Sequence, residues 1–103
     1  MNWSEHPEAR AELLGAAEYL DERRAGLGNE LIDRVETAIE DILAMPEAWP
    51  LVSSPDGQLQ LRSRVIRPFR YRIVYYIAAA GIRVVAYAHE SQEPGYWRKR
   101  LGA

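Results

Sequence analysis

The chain has 103 residues, of which 48% are hydrophobic and 27% charged, and its formal net charge is −2. A chain of this length is expected to form one domain, residues 1–103, with one modest core. It has no cysteine, which excludes a disulfide framework and a cysteine nucleophile or metal site. The first residues do not resemble a signal peptide, and no apolar run reaches the roughly 20 residues of a membrane span. We therefore expect a cytoplasmic protein.

The charge is divided unevenly along the chain. Residues 1–59 carry a balance of −9, whereas residues 60–103 carry a balance of +7. This division predicts an acidic face and a basic face with different electrostatic partners. Glutamate-rich helices followed by arginine-bearing strands would give the same counts without any functional face.

The pattern of residues 1–24 predicts a short strand followed by a helix. Residues 1–5 are the candidate strand, with Ser4 as a candidate helix cap. Pro7 suits the first turn of a helix, and Glu8 suits the positive end of its dipole. Apolar residues then recur at helical spacing as far as Arg24.

A second helix is predicted immediately after a glycine-rich turn. Gly26 and Gly28 indicate a tight connection between antiparallel helices. Residues 29–45 then carry a wide apolar stripe that must be buried, and Pro46 ends the helix. The two helices should form a hairpin that is acidic outside and apolar inside.

A proline-containing loop and a strand follow. Residues 45–56 contain three prolines, and Trp49, Leu51 and Val52 are expected to pack this loop onto the core. Asp56-Gly57 indicates a turn. Residues 59–67 predict a strand that ends or bulges at Pro68.

The clearest pattern is a β-hairpin near the end of the chain. Residues 70–77 and 82–89 are rich in aromatic and β-branched side chains, and residues 78–81 end in a glycine that allows a tight turn. Residues 96–101 should form a short tail or helical turn. The predicted fold is α+β: an antiparallel sheet with an N-terminal helix hairpin packed on one face, in the order β-α-α-β-β-β.

Catalytic motifs are scarce in the sequence. His89 beside Glu90 is a candidate general base, but a histidine at a strand end also commonly bonds to the backbone. Ser53-Ser54 has no histidine at a motif spacing. No spacing of metal ligands and no glycine-rich phosphate loop occurs, so we expect no metal and no cofactor.

Arginines near the predicted strands are more informative. Guanidinium groups bind phosphate and carboxylate and stack on aromatic rings, and tyrosine and tryptophan occur nearby. A basic sheet face could bind an acidic protein segment or RNA, or its arginines could pair with helix carboxylates in solvent. The residues concerned are Arg62, Arg64, Arg67, Arg70, Arg72 and Arg83.

Three pieces of the chain resemble the RelE/ParE superfamily of toxins from type II toxin–antitoxin modules. They are the helix that opens at His6-Pro7-Glu8-Ala9, the strand Tyr71-Arg72-Ile73-Val74-Tyr75, and Ala88-His89 followed by Glu93-Pro94-Gly95-Tyr96-Trp97. The resemblance implies the fold predicted above. It also implies a cognate antitoxin with an acidic or amphipathic segment that wraps the toxin, forming a hetero-oligomer.

The branch within the superfamily decides the expected target. RelE-like members cut mRNA on the ribosome, and Arg72 and Tyr96 match two of their catalytic positions. A further arginine expected after the last strand is absent, and Glu90 and Glu93 occur there instead, where they would repel a phosphate. The ending Pro94-Gly95-Tyr96-Trp97 is similar to ParE-like members, which poison DNA gyrase.

The sequence is therefore interpreted as a ParE-like gyrase poison, not itself a catalyst. Two alternatives remain: a ribosome-dependent mRNA endonuclease that uses Arg72 and Tyr96, and a non-toxic module that only binds antitoxin. The antitoxin surface is undecided between the helix hairpin and the sheet edge. The tail is expected to expose its aromatic side chains. The expected target-binding residues are Tyr96, Trp97, Arg98 and Arg100, and then Arg64, Arg67 and Arg72.

Overall fold

The computed structural model describes residues 1–52 and 59–102. The predicted Ser53-Ser54 loop and the Asp56-Gly57 turn lie outside the described residues. In the described ranges, no helix is both long enough and apolar enough to cross a bilayer.

The predicted helix hairpin is present. Helix α1 spans Pro7–Arg23 and helix α2 spans Leu27–Ala44. His6, and not Ser4, caps α1, because its Nδ1 accepts a hydrogen bond from the backbone N–H of Glu8 at 3.1 Å. This bond satisfies one of the N–H groups that a helix leaves unpaired in its first turn.

Close packing between the helices depends on the turn that joins them. Gly26 has φ of 93°, a left-handed conformation that favours glycine. A Cβ on Gly28 would collide with the backbone oxygen of Ala17. The carboxylate of Asp21 accepts hydrogen bonds from the N–H groups of Gly26 and Gly28, at 3.2 and 2.8 Å, and so fixes the turn.

In the part of the chain that the structure describes, five strands form one sheet. The strands are β1 (Asn2–Glu5), β2 (Leu51–Val52), β3 (Leu61–Ile66), β4 (Tyr71–Ala78) and β5 (Gly81–His89). Their order in the sheet is β1-β5-β4-β3-β2, with β4 at the centre. The hairpin predicted near the end of the chain is β4 and β5, which pair antiparallel.

The α+β fold with an N-terminal helix pair is confirmed, and the sheet differs from the prediction in two details. It is mixed, because β1 pairs parallel with β5. It also gains the two-residue edge strand β2, in a segment predicted as loop. Trp49 and Val52 pack against the core as expected, but Leu51 is 58% exposed.

Apolar side chains cover both faces of the sheet. The larger core lies between the helices and one face, and it includes Leu13, Leu31, Val35, Ile42, Ile73, Tyr75, Ile82, Val84 and Tyr87. A C-terminal 3-10 helix, Tyr96–Gly102, covers part of the second cluster, which consists of Leu61, Val74, Val85, Ala86, Ala88 and Trp97. The tail is therefore part of the folded structure.

Candidate functional site

A carboxylate of α1 holds the C-terminal 3-10 helix in place. Glu12 accepts hydrogen bonds from both terminal nitrogens of Arg100, at 2.8 and 3.2 Å, and from the hydroxyl of Tyr96. It also accepts the backbone N–H of Tyr87 at 3.1 Å. A forked contact between guanidinium and carboxylate is a strong and directional pairing. We call Glu12, Tyr96 and Arg100 the Glu12 cluster.

Ionisation in this cluster follows from burial and from the Glu12 charge. Burial raises the pKa of the Tyr96 hydroxyl, and its hydrogen bond to Glu12 raises that pKa further. Burial acts to lower the pKa of Arg100, but the hydrogen bond and charge of Glu12 outweigh burial, so that pKa is raised. The Tyr96 hydroxyl therefore keeps its proton near neutral pH.

The expectation of an exposed aromatic tail is wrong for Trp97. Its side chain is only 5% exposed, because it packs into the second apolar cluster. Tyr96 is half-buried, and the Arg100 side chain is 11% exposed. Arg98 and Lys99 are the exposed residues of this segment. Tyr96, Trp97 and Arg100 are thus available to a target only in part.

Three of the other predicted arginines, Arg64, Arg67 and Arg72, meet at a cleft of about 610 Å³. Arg64 and Arg67 come from β3 and the turn after it, Arg72 comes from β4, and Arg34 comes from α2. The remaining described residues around the cleft include Trp49 and Leu51 but no aspartate or glutamate. We call this site the arginine cleft.

The cleft lies where β3 meets the short edge strand β2. Arg64 points towards α2, where it bonds to Asp41. Neighbouring side chains of a strand point to opposite faces of the sheet. Arg72 lies on the other face with Val74, which belongs to the second apolar cluster. The arginines therefore gather around a sheet edge and do not form the single basic face that was expected.

Among the four, Arg64 is firmly held. One terminal nitrogen donates to Asp41 at 2.8 Å, the other donates to the carbonyl of Val65, and the guanidinium carbon lies 4.8 Å from the ring centroid of Trp49. Within the described ranges, Arg34, Arg67 and Arg72 make no ion pair with a carboxylate.

Two buried donors at this cleft have no acceptor. They are Nε1 of Trp49 and Nε of Arg64, among the residues that the structure describes. Buried N–H groups are nearly always hydrogen-bonded, because burial removes them from water. The cleft therefore offers more donors than the surrounding residues use.

A second cleft of about 410 Å³ brings Arg72 and Tyr96 to one surface. Glu90 and Glu93 also line it, so negative charge lies beside the two residues. His89 is there as well, but its Nδ1 accepts the N–H of Ser91 at 3.0 Å. This bond matches the expectation of a histidine bonded to backbone.

Sequence reasoning missed Glu12, Arg34 and Trp49 as site residues. Glu12 lies among many helix glutamates, and its partner Arg100 is 88 positions away. Arg34 is one residue on an acidic helix surface. No group of three or more histidine, aspartate or glutamate side chains in the described ranges could hold a metal ion.

A helix pair on one face of a small sheet is the fold that the resemblance to the toxin superfamily implies. The chain matches the family model of the ParE toxin of type II toxin–antitoxin systems, parDE, over residues 5–94. This match covers most of the chain, and the protein belongs to that family. A search of curated proteins found no match. As a type II toxin, the chain implies an antitoxin partner.

Proposed function

We propose that this toxin binds DNA gyrase and stabilises the cleaved DNA intermediate, so that replication stalls. The single observation that carries the proposal is the match to the ParE toxin family over residues 5–94. The site geometry adds support, because Tyr96 is bonded to Glu12 through its hydroxyl and so is poorly suited to nuclease chemistry.

The target surface in this proposal is the arginine cleft together with the exposed part of the tail. Arg67 and Arg72 have no carboxylate partner among the described residues, and Arg98 is exposed. Trp97 and Arg100 act by holding the 3-10 helix in shape. Cations of this kind steer and bind negatively charged surfaces.

The antitoxin in this proposal covers the helix hairpin. An apolar groove of about 390 Å³ lies beside α2, and Glu36 and Glu40 lie at it with Arg10. Trp3, at the same groove, is 39% exposed. An amphipathic antitoxin segment would bury this groove, as amphipathic helices do in other protein complexes.

The test is a plasmid assay with purified toxin, gyrase and ATP. After detergent and protease, linear DNA should accumulate, and added antitoxin should abolish it. The variant Arg67→Gln with Arg72→Gln should give less linear DNA. The matched control is Arg23→Gln with Arg24→Gln, which removes the same charge from the end of α1. A folded toxin that arrests growth but yields no linear DNA would contradict the proposal.

One observation favours a second candidate, the ribosome-dependent mRNA endonuclease. Arg72 and Tyr96, which match RelE-like catalytic positions, line the same 410 Å³ cleft. If this candidate is correct, mRNA cuts mapped on ribosomes should disappear in both Arg72→Ala and Tyr96→Phe. A gyrase poison should tolerate loss of the Tyr96 hydroxyl. The third candidate, a non-toxic antitoxin-binding module, predicts that expression without antitoxin is harmless.

A further inference from the structure

The arginine cleft has an excess of positive charge that the described residues around it do not balance. Among the described residues, Arg64 is the one of its four arginines that pairs with a carboxylate, that of Asp41. Arg34, Arg67 and Arg72 come from three different parts of the fold and converge on one cleft. Like charges brought together in this way repel one another, so the cleft favours an anionic ligand.

The hydrogen-bonding groups point to the same class of ligand. Arginine and tryptophan side chains donate hydrogen bonds and accept none. Two such donors, Nε1 of Trp49 and Nε of Arg64, are buried without an acceptor among the described residues. The charged and indole groups of the cleft therefore supply donors in excess of acceptors, and a partner rich in acceptors is the complementary ligand.

A sugar-phosphate backbone meets this requirement better than a peptide does. Phosphate oxygens are acceptors, and arginine binds them through two parallel N–H groups. An acidic peptide also carries a backbone N–H at almost every residue, and these donors would face the donors of the cleft. Leu51, 58% exposed at the cleft, provides an apolar contact for a sugar or base.

We propose that the arginine cleft binds the phosphodiester backbone of a nucleic acid, with Arg34, Arg67 and Arg72 as the contacts. The identity of that strand as the DNA held by gyrase rests on the proposed function. The binding chemistry is the same for RNA. In this arrangement the toxin contacts nucleic acid directly, in addition to the gyrase protein.

The experiment measures fluorescence anisotropy of the full-length toxin with labelled duplex DNA, single-stranded DNA and single-stranded RNA. Oligonucleotides of about 20 nucleotides exceed the roughly 4–16 nucleotides that single-strand-binding folds cover. A labelled polyglutamate peptide tests the acidic-protein class. Each titration is repeated over a range of salt concentrations, with Arg67→Gln/Arg72→Gln and with the control Arg23→Gln/Arg24→Gln.

The proposal predicts that the cleft variant loses about tenfold in affinity for each arginine, as expected for charged hydrogen bonds. The slope of log affinity against log salt should become shallower by about 0.7 to 0.9 for each lost phosphate contact. The control variant should bind as the unmodified toxin does. Preference for DNA or RNA identifies the source of the backbone.

Three results would overturn the proposal: no binding of any oligonucleotide, an equal loss in both variants, or cleft-dependent binding of polyglutamate alone. The plasmid assay tests gyrase poisoning independently of nucleic-acid binding by the cleft. Linear DNA from a toxin that binds no oligonucleotide leaves gyrase poisoning intact. Cleft-dependent nucleic-acid binding without linear DNA supports the cleft and removes gyrase as the target.

Discussion

Two groups of arginines in the second half of the chain differ in what surrounds them. Arg100, in the C-terminal 3-10 helix, is 11% exposed and contacts Glu12 through both terminal nitrogens. Arg67 and Arg72, at the arginine cleft, have no carboxylate partner within the described ranges. A buried and paired cation is committed to the fold, whereas an unpaired cation at a cleft can bind a ligand. We therefore expect substitutions of the first group to lower stability and substitutions of the second group to lower function.

The largest expected loss of stability comes from a substitution in the C-terminal 3-10 helix. Trp97→Ala should lower the free energy of unfolding by about 3–5 kcal/mol, because it removes a large side chain from the second apolar cluster. Urea unfolding measures the change. Trp3→Ala is the matched control, and since Trp3 is 39% exposed it should cost much less. Equal losses in the two variants would mean that the 3-10 helix does not cover the sheet.

Glu12→Gln should have the next largest effect. The change leaves Arg100 with a weakened partner in a largely buried position, and we expect a loss of about 2–3 kcal/mol. The control Glu18→Gln, at an exposed position of α1, should change stability by less than about 0.5 kcal/mol.

A double variant with Arg100→Met sharpens this prediction. If Glu12 and Arg100 act as a pair, the two losses should not add. Strictly additive losses would show that the contact contributes little to holding the 3-10 helix.

Alkaline pH should weaken the fold through its buried tyrosines. Burial raises the pKa of Tyr75 to about 12, and burial with the Glu12 hydrogen bond raises that of Tyr96. A pKa raised on folding stabilises the protein fully below the unfolded value, near 10. That contribution is lost as pH rises from about 10 through the folded values.

Thermal melts between about pH 8 and pH 11.5, on either side of the unfolded tyrosine pKa, measure this loss. Tyr96→Phe should reduce the pH dependence, since the ionising hydroxyl is removed, whereas Tyr19→Phe, at an exposed position, should leave it unchanged. A Tyr96→Phe variant that keeps the full alkaline loss would place the effect elsewhere.

Local sequence patterns predicted most of the elements. The β4–β5 hairpin follows from side-chain type and one glycine within twenty residues. The helices follow from periodicity, with Pro7 at the start of α1, a glycine-containing turn between the helices and Pro46 after α2. The parallel pairing of β1 was not predictable in this way. It brings Asn2 beside Gly81, two residues that no local pattern connects.

The site was harder to predict than the fold, because partners are chosen in three dimensions. The sequence does not distinguish Arg100 from Arg72. In the fold, Arg100 contacts Glu12, whereas Arg72 contacts no carboxylate among the described residues. Trp97 is followed by three basic residues, and this run of charge favoured the prediction of an exposed tail. Its spacing of four from Leu101, a residue that packs on the same cluster, was the available sign of burial.

The smallest expected effects on stability concern two arginines of the same cleft, one paired with a carboxylate and one not. Arg64→Gln removes the contact to Asp41 and the stacking on Trp49, and should cost about 1–2 kcal/mol. Arg72→Gln should cost less than about 0.5 kcal/mol yet reduce growth arrest when the toxin is expressed without antitoxin. Urea unfolding and growth curves on the same two variants give both readings. If Arg72→Gln remains fully toxic, or if it unfolds as readily as Arg64→Gln, then the lack of a carboxylate partner among the described residues does not mark a binding residue, and the division between the two groups of arginines fails.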